Sequence, residues 1–240
     1  MFNLLKSDLY KLAKSKTFLL GLLACVALTI PIVFVMHIEP GMFQFTGGAG
    51  AIVGFLPMNL HLYFVAAFVA IFITSEFHYG TMKNILSRGS GRIAVFFSKF
   101  IVCSLAAVLL LLVFILTIVV VGSILFGYDP DGISTASGLI SIIFFQSLMT
   151  VAYTALFTLF SIAIRNLGGA IVTNIMFIAM GGTILAVMGL ANFTLDFGIN
   201  ALATFTPYFA HITQGVVIAL VWGIVSVVVS VVLFVRQDVK

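Results

Sequence analysis

Six long apolar runs divide the chain, and the sparse polar residues between them mark where each one stops. They lie at about 17–37, 56–75, 98–126, 139–164, 167–190 and 213–235. Each holds the roughly 20 residues that a hydrocarbon core of about 30 Å requires. The stretch Leu105–Gly122, LAAVLLLLVFILTIVVVG, has no period-two alternation, whereas a membrane barrel needs polar lumen positions every second residue. The runs therefore predict spanning helices, in which each backbone group is satisfied within its own segment. The expected fold class is an all-α membrane protein with six transmembrane helices, forming a single transmembrane domain over 1–240. The third run is long enough to tilt or to continue past the bilayer.

Two further patterns interrupt this plan. The first sixteen residues, MFNLLKSDLYKLAKSK, gather Phe2, Leu5, Leu9, Leu12 and Ala13 on one helical face, with Asn3, Ser7, Lys11 and Lys14 opposite. That pattern predicts an amphipathic helix lying in the membrane plane, its lysines toward anionic headgroups. About twenty uncharged residues follow, Thr17–Met36, longer than a signal-peptide apolar region of about 7–15, so a retained first span is expected. The second interruption is Ser75–Lys99, SEFHYGTMKNILSRGSGRIAVFFSK. Gly80 offers a break, and Thr81 is placed to cap a short helix over Met82–Ser87. Met82, Ile85 and Leu86 fall on one side of that helix, and SRGSGR forms a flexible turn before the third span. Exposed apolar groups at Phe77, Tyr79, Ile85 and Leu86 point to a protein partner or the membrane interface. The outer loop 191–212 has one charge and is a candidate re-entrant element, provided that it packs on protein.

Composition removes the soluble alternative. Charged residues make up 8% of the chain and mean hydropathy is +1.30, against about 25% charged in a soluble domain. The distribution of those charges sets orientation. Lys6, Lys11, Lys14, Lys16, Lys83, Arg88, Arg92, Lys99, Arg165, Arg236 and Lys240 fall on one side of the six runs, while Glu39, Asp129, Asp131 and Asp196 occupy the opposite loops. The positive-inside rule then places both termini and the 75–99 loop in the cytoplasm. Cys25 and Cys103 form no CxxC pair and are read as buried small hydrophobes.

The chemistry is notable for what it lacks. There is no GxxxxGK[ST] phosphate loop, so the chain cannot bind ATP in that way, and no nucleophile–base constellation identifies a catalytic residue. His37 and His61 are expected to face outward near membrane ends, and no metal site is assigned. No charged residue is expected deep within a span, although ion-coupled transporters usually carry one. Among the polar residues in the spans, Asn174, Thr29 and Thr183 are the candidates for a translocation pathway, and interhelical hydrogen bonding is the alternative for each. Any solute movement therefore draws its energy from outside the membrane region.

The 75–99 stretch resembles the signature of ABC-2 type transporter permeases, especially the small six-span permeases of bacterial peptide, lantibiotic and bacitracin exporters. In that family the second span runs into E-F-x-x-G-T-[IM]-[RK]-x-x-L, then a turn and a lysine before the third span. Here Glu76, Phe77, Gly80, Thr81, Met82, Lys83, Leu86, Ser87, Arg88 and Lys99 match, and Leu4–Phe18 is similar to the family's opening interfacial helix. The resemblance implies a permease subunit that exports a hydrophobic or amphipathic peptide-like substrate across the bacterial cytoplasmic membrane. It implies a second permease chain, identical or a sister, and two copies of a separate ABC ATPase subunit that holds ATP and Mg; no nucleic-acid partner is implied. Glu76, Phe77, Gly80, Thr81, Met82, Lys83, Ile85 and Leu86 would form the coupling helix that docks on the ATPase. The competing readings are an ATPase-independent secondary transporter or channel, and a membrane immunity or assembly protein without transport.

Overall fold

The short linkers set the register of this fold. In the computed structural model, residues 2–38, 48–55, 58–87, 91–127, 136–197, 199 and 209–236 are described. Helix α1 (Phe2–Lys14) is separated from α2 (Lys16–Ile38) by Ser15 alone. Ser15 Oγ accepts the Phe18 N–H at 3.2 Å, which satisfies one of the free donors at the start of α2. A short helix, α3 (Gly48–Phe55), precedes α4 (Leu60–His78). Gly80 ends the α4 run with φ +65°, a conformation that favours glycine, and α5 (Thr81–Ser87) follows at once. Then come α6 (Arg92–Phe126), α7 (Ala136–Ile164), α8 (Leu167–Val187), a single 3-10 turn at Ala191–Phe193, and α9 (Phe209–Arg236). Between α7 and α8 the chain turns on Arg165, at φ +55°, and Asn166, whose side chain accepts the Gly168 N–H at 3.0 Å.

Helices α2, α4, α6, α7, α8 and α9 are each long and apolar enough to cross a membrane, and among the described residues the fold is all-helical. The six expected spans agree with these helices to within a few residues except at the start of α6. That helix begins at Arg92, so Arg92 and Lys99 stand on its first turns and not in a loop. Its 35 residues run about 52 Å at the rise of an α-helix, longer than the hydrocarbon core. Glu39, Arg88, Asp129, Asp131 and Lys240 lie outside the described residues.

The centre of the bundle is α4, α6 and α7. Leu62, Val65, Ala66 and Val69 of α4 pack with Val102, Cys103, Ala106 and Leu110 of α6 and Met149, Tyr153 and Phe157 of α7. On this core α9 packs against α7, α2 and α3 against α6, and α8 against α4. Helix α7 carries a buried hydroxyl stripe. Thr154, Thr158 and Ser161 each donate to the carbonyl four residues back, so small polar groups sit in the core without needing a neighbour. Both cysteines are buried and free.

Helix α1 departs from the expected arrangement. Its apolar face does not face lipid: Leu12 is in the core, and Leu5 and Leu9 pack against it, with α6 as the supporting helix. Burying three leucines on protein is worth about 1.5–3 kcal/mol each where burial is complete, and this docking brings the polar edge of α1 onto the ends of α4 and α6.

Candidate functional site

Where α1 meets α4 and α6, four charges close an alternating ring. Lys11 Nζ lies 3.7 Å from Asp8 Oδ1 and 2.9 Å from Glu76 Oε1. Lys99 Nζ lies 2.6 Å from Glu76 Oε2 and 3.4 Å from Asp8 Oδ1. Asp8 and Lys11 are neighbours on α1 because residues three apart share a helix face. Glu76 comes from the last turn of α4, and Lys99 from the second turn of α6. Asp8, Glu76 and Lys99 are 4%, 6% and 4% exposed, so three of the four charges are essentially out of water. Such charges are tolerated only when paired and hydrogen-bonded. Here every charge has two opposite neighbours, and Ser98 Oγ adds a bond to Asp8 Oδ2 at 2.8 Å. Lys99 also stands 5.4 Å above the Phe72 ring, a cation–π contact. Partial burial opposes the charge on Lys11, but its hydrogen bond to Glu76 and the attraction of both carboxylates prevail and raise its pKa.

The residues expected to form a docking knob divide in two. Glu76 and Met82, both expected in the coupling segment, are buried, Met82 at 1% exposure. They are the root of α5, held inside, because the tight turn at Gly80 folds α5 back onto the end of α4. Thr81 does not act as an N-cap acceptor; its Oγ1 donates to the Glu76 carbonyl at 3.2 Å. Phe77 is partly buried and points away from α5, edge-on to Phe234 of α9 at 6.4 Å and under the Arg165 guanidinium at 5.7 Å. Ile85 is partly buried against the core, while Tyr79 is 76% exposed. Lys83 and Leu86 lie on α5, with side chains outside the described residues. Arg92 Nη1 donates to the Val235 carbonyl at 2.7 Å, capping the last turn of α9. The ends of α1, α4, α6 and α9 around the base of α5 are thus joined by polar and aromatic contacts.

The pathway candidates lie elsewhere. Asn174 is fully buried and donates to the Ala66 carbonyl at 3.2 Å, tying α8 to α4 with an interhelical bond worth about 0.6–2 kcal/mol. Thr29 is buried and donates to its own helix at Cys25, 2.7 Å away. Thr183 is exposed on α8. His61 does not face outward: it is 1% exposed, 3.3 Å from Thr150 Oγ1 and stacked on Phe114. His37 is exposed, beside the Phe126 ring.

A second polar cluster was not foreseen. Residues 191–197 and 199 lie beside the end of α8, and α4 and α8 are shorter than α7 and α9. Asp196 Oδ1 accepts bonds from Tyr153 Oη at 2.6 Å and Asn59 Nδ2 at 3.4 Å. Gln146 Nε2 donates to the Ile199 carbonyl at 3.2 Å, and Trp222 Nε1 to the Phe193 carbonyl at 2.8 Å. Trp222 is nine residues inside the Thr213–Arg236 segment, about 13 Å along the helix from Thr213. The described part of 191–212 therefore packs on protein, with Leu195 and Ile199 buried.

Burial raises the pKa of Asp196, against the opposing hydrogen bond from Tyr153. A carboxyl whose folded pKa is raised contributes stability that is full below its unfolded value of about 3.9 and is lost as pH rises through the folded value. Asp196→Asn keeps an acceptor for Tyr153 and cannot ionise. Its thermal midpoint in detergent is expected to fall less than that of the parent as pH rises from 4 to 8, and parallel curves would refute this account.

Sequence signals existed for part of this. Asp8 is the lone acid in a basic amphipathic helix and sits on the edge of the leucine face, which marks an inward charge. Nothing local marks Tyr153, Asn59 or Gly182 as partners of Asp196, since they come from three separate helices or their ends.

The family model of ABC-2 family transporter proteins matches residues 4–181, which is 178 of 240. No individual curated protein matches the chain significantly. The matched residues include all four charges of the ring and the whole of α5, and run into the fifth span. With that match covering most of a six-span multi-pass membrane protein, the chain belongs to the ABC-2 transporter family, whose membership implies a permease subunit working with an ABC ATPase partner.

Proposed function

We propose that the chain is the permease subunit of an ATP-driven exporter of hydrophobic or amphipathic peptide-like molecules, similar to the small bacterial peptide, lantibiotic and bacitracin systems. Two permease chains pair in the bacterial cytoplasmic membrane with both termini inside. Two ATPase subunits hold ATP and Mg, and this chain supplies no catalytic group. Helix α5 docks on the ATPase as a coupling helix. Tyr79 and helix α5, with Lys83, Ile85 and Leu86, make the contact. Glu76, Phe77, Gly80, Thr81 and Met82 carry the movement inward.

The observation that supports this reading best is the buried ring of Asp8, Lys11, Glu76 and Lys99 at the root of α5. A loop that only fixed topology would leave its charges in water, where they cost nothing. Here three helices share a neutral, largely desolvated knot beside the short helix α5, and a knot of that kind moves as one piece.

The test is to express the chain with its ATPase and to replace Thr81–Ser87 by a Gly/Ser linker of equal length. The parent pair is expected to co-purify and to drive ATP-dependent uptake of a fluorescent amphipathic peptide into inside-out vesicles. The linker variant is expected to reach the membrane but to lose both. Co-purification that survives the linker would refute the docking role of α5. Uptake driven by an ion gradient without ATP would instead establish the secondary-transporter reading.

A further inference from the structure

A crevice of about 360 Å³ opens beside the ring, between the α1–α2 hinge and the cytoplasmic end of α4. This is within the range of about 300–1,000 Å³ common for small-ligand sites. Its rim is polar: Lys11, Ser15, Lys16, Thr17, Ser75 and Tyr79. Its floor is apolar: Phe68, Ile71 and Phe72. From Ser75 to Phe68 is seven residues along α4, about 10 Å of depth. The mouth lies at the level where α2 begins and α4 ends, which is the headgroup level of the leaflet, and the floor reaches into the hydrocarbon.

Charge selects among the groups that could fill such a space. Asp8 and Glu76 cancel Lys11 and Lys99, so the ring is neutral as a unit. Lys16 is exposed on the rim, and no described residue forms an ion pair with it. It leaves the crevice with one net positive charge, joined by hydroxyls of Ser15, Thr17 and Tyr79 that can donate to phosphate oxygens. A zwitterionic headgroup would also bring an ammonium, which needs a carboxylate. Glu76, the only acid among the described residues that line the crevice, is already held by Lys11 and Lys99. A free phosphate would satisfy the rim and leave the aromatic floor unused.

We infer that this crevice binds one anionic phospholipid of the cytoplasmic leaflet, its phosphodiester on Lys16 and the rim hydroxyls and the head of an acyl chain on Phe68, Ile71 and Phe72. The leaflet assignment rests on the orientation proposed above; the binding itself does not. Because the two walls are the α1–α2 hinge and the α4 end, a bound lipid braces the same junction that the charge ring closes.

The experiment is native mass spectrometry of the detergent-purified full chain titrated with dioleoyl phosphatidylglycerol or dioleoyl phosphatidylcholine. The parent is expected to retain the glycerol lipid preferentially. Lys16→Ala is expected to weaken that retention about fivefold, the worth of one lysine near an anionic surface, and Lys16→Arg to preserve it. Lys14→Ala, an exposed lysine outside the crevice, is expected to bind as the parent does. Ile71→Trp, which fills the floor, is expected to block the lipid while leaving Lys16 in place. Equal retention of both lipids, an equal loss in Lys14→Ala, unchanged binding in Ile71→Trp, or displacement by glycerol 1-phosphate would each overturn the assignment.

Discussion

Lys99→Met is expected to destabilise the protein by about 3–5 kcal/mol, the usual cost of removing one partner from a buried ion pair. Asp8 and Glu76 would then share the single positive charge of Lys11, whose side chain is 43% exposed, and one buried carboxylate would be left without compensation. The companion variant carries Glu76→Gln as well. It retains Asp8 with Lys11 as a neutral pair, so it is expected to unfold at a higher temperature than Lys99→Met alone. Such non-additivity is the signature of residues in one network. A charge exchange, Glu76→Lys with Lys99→Glu, gives a sharper test. In an isolated pair the exchange restores attraction. In the ring it sets a carboxylate beside Asp8 and an ammonium beside Lys11, so it is expected to be at least as damaging as Lys99→Met. Thermal unfolding of the four proteins in one detergent decides the matter. Equal losses in the single and double variants, or rescue by the exchange, would show that the four residues do not act together.

The second large effect is expected at Asp196. A Cβ added to Gly182 of α8 would fall within contact distance of Asp196 Oδ2. The carboxyl cannot swing away freely, because its other oxygen is bonded to Tyr153 and Asn59. Gly182→Ala therefore either overpacks the site, at about 1–3 kcal/mol, or frees the Tyr153 hydroxyl in a buried setting, at about 1–3 kcal/mol. Either outcome lifts the 191–199 segment. Ile199 is 1% exposed, so Ile199→Cys is expected to resist a water-soluble thiol reagent in the parent and to react in the Gly182→Ala background. Adding Asp196→Ala to Gly182→Ala removes the clash and is expected to recover part of the lost thermal midpoint. Continued protection of the cysteine in Gly182→Ala would show that the segment is not held by this contact.

The six spans, the existence of helix α1 and the short helix α5 were legible in the chain because each is a local matter. Lipid admits only segments whose backbone is self-satisfied, so about 20 uninterrupted apolar residues decide a span wherever they occur. Gly80, Ser15 and Asn166 end or begin helices through bonds to residues within a few positions, which a linear reading can anticipate. The family signature was equally local, contained in Glu76–Leu86.

Burial was not local, and so the roles within that signature changed. Glu76 looks like a surface group beside a charged loop, yet it is interior because α1, more than sixty residues earlier, folds onto α6 and sets Lys11 against it. Lys99 looks like a flanking topology charge, and it counts as one by side; its second role exists only because Asp8 and Glu76 arrive from other helices. Asp196 reads as an outer-loop acid, and it becomes a buried hydrogen-bond acceptor because α4 and α8 are shorter than α7 and α9. The pattern of solvent preference along a chain determines which segments leave water. Which charge meets which is decided by helix lengths and packing, since the energy of a desolvated charge depends on neighbours that no sequence window contains.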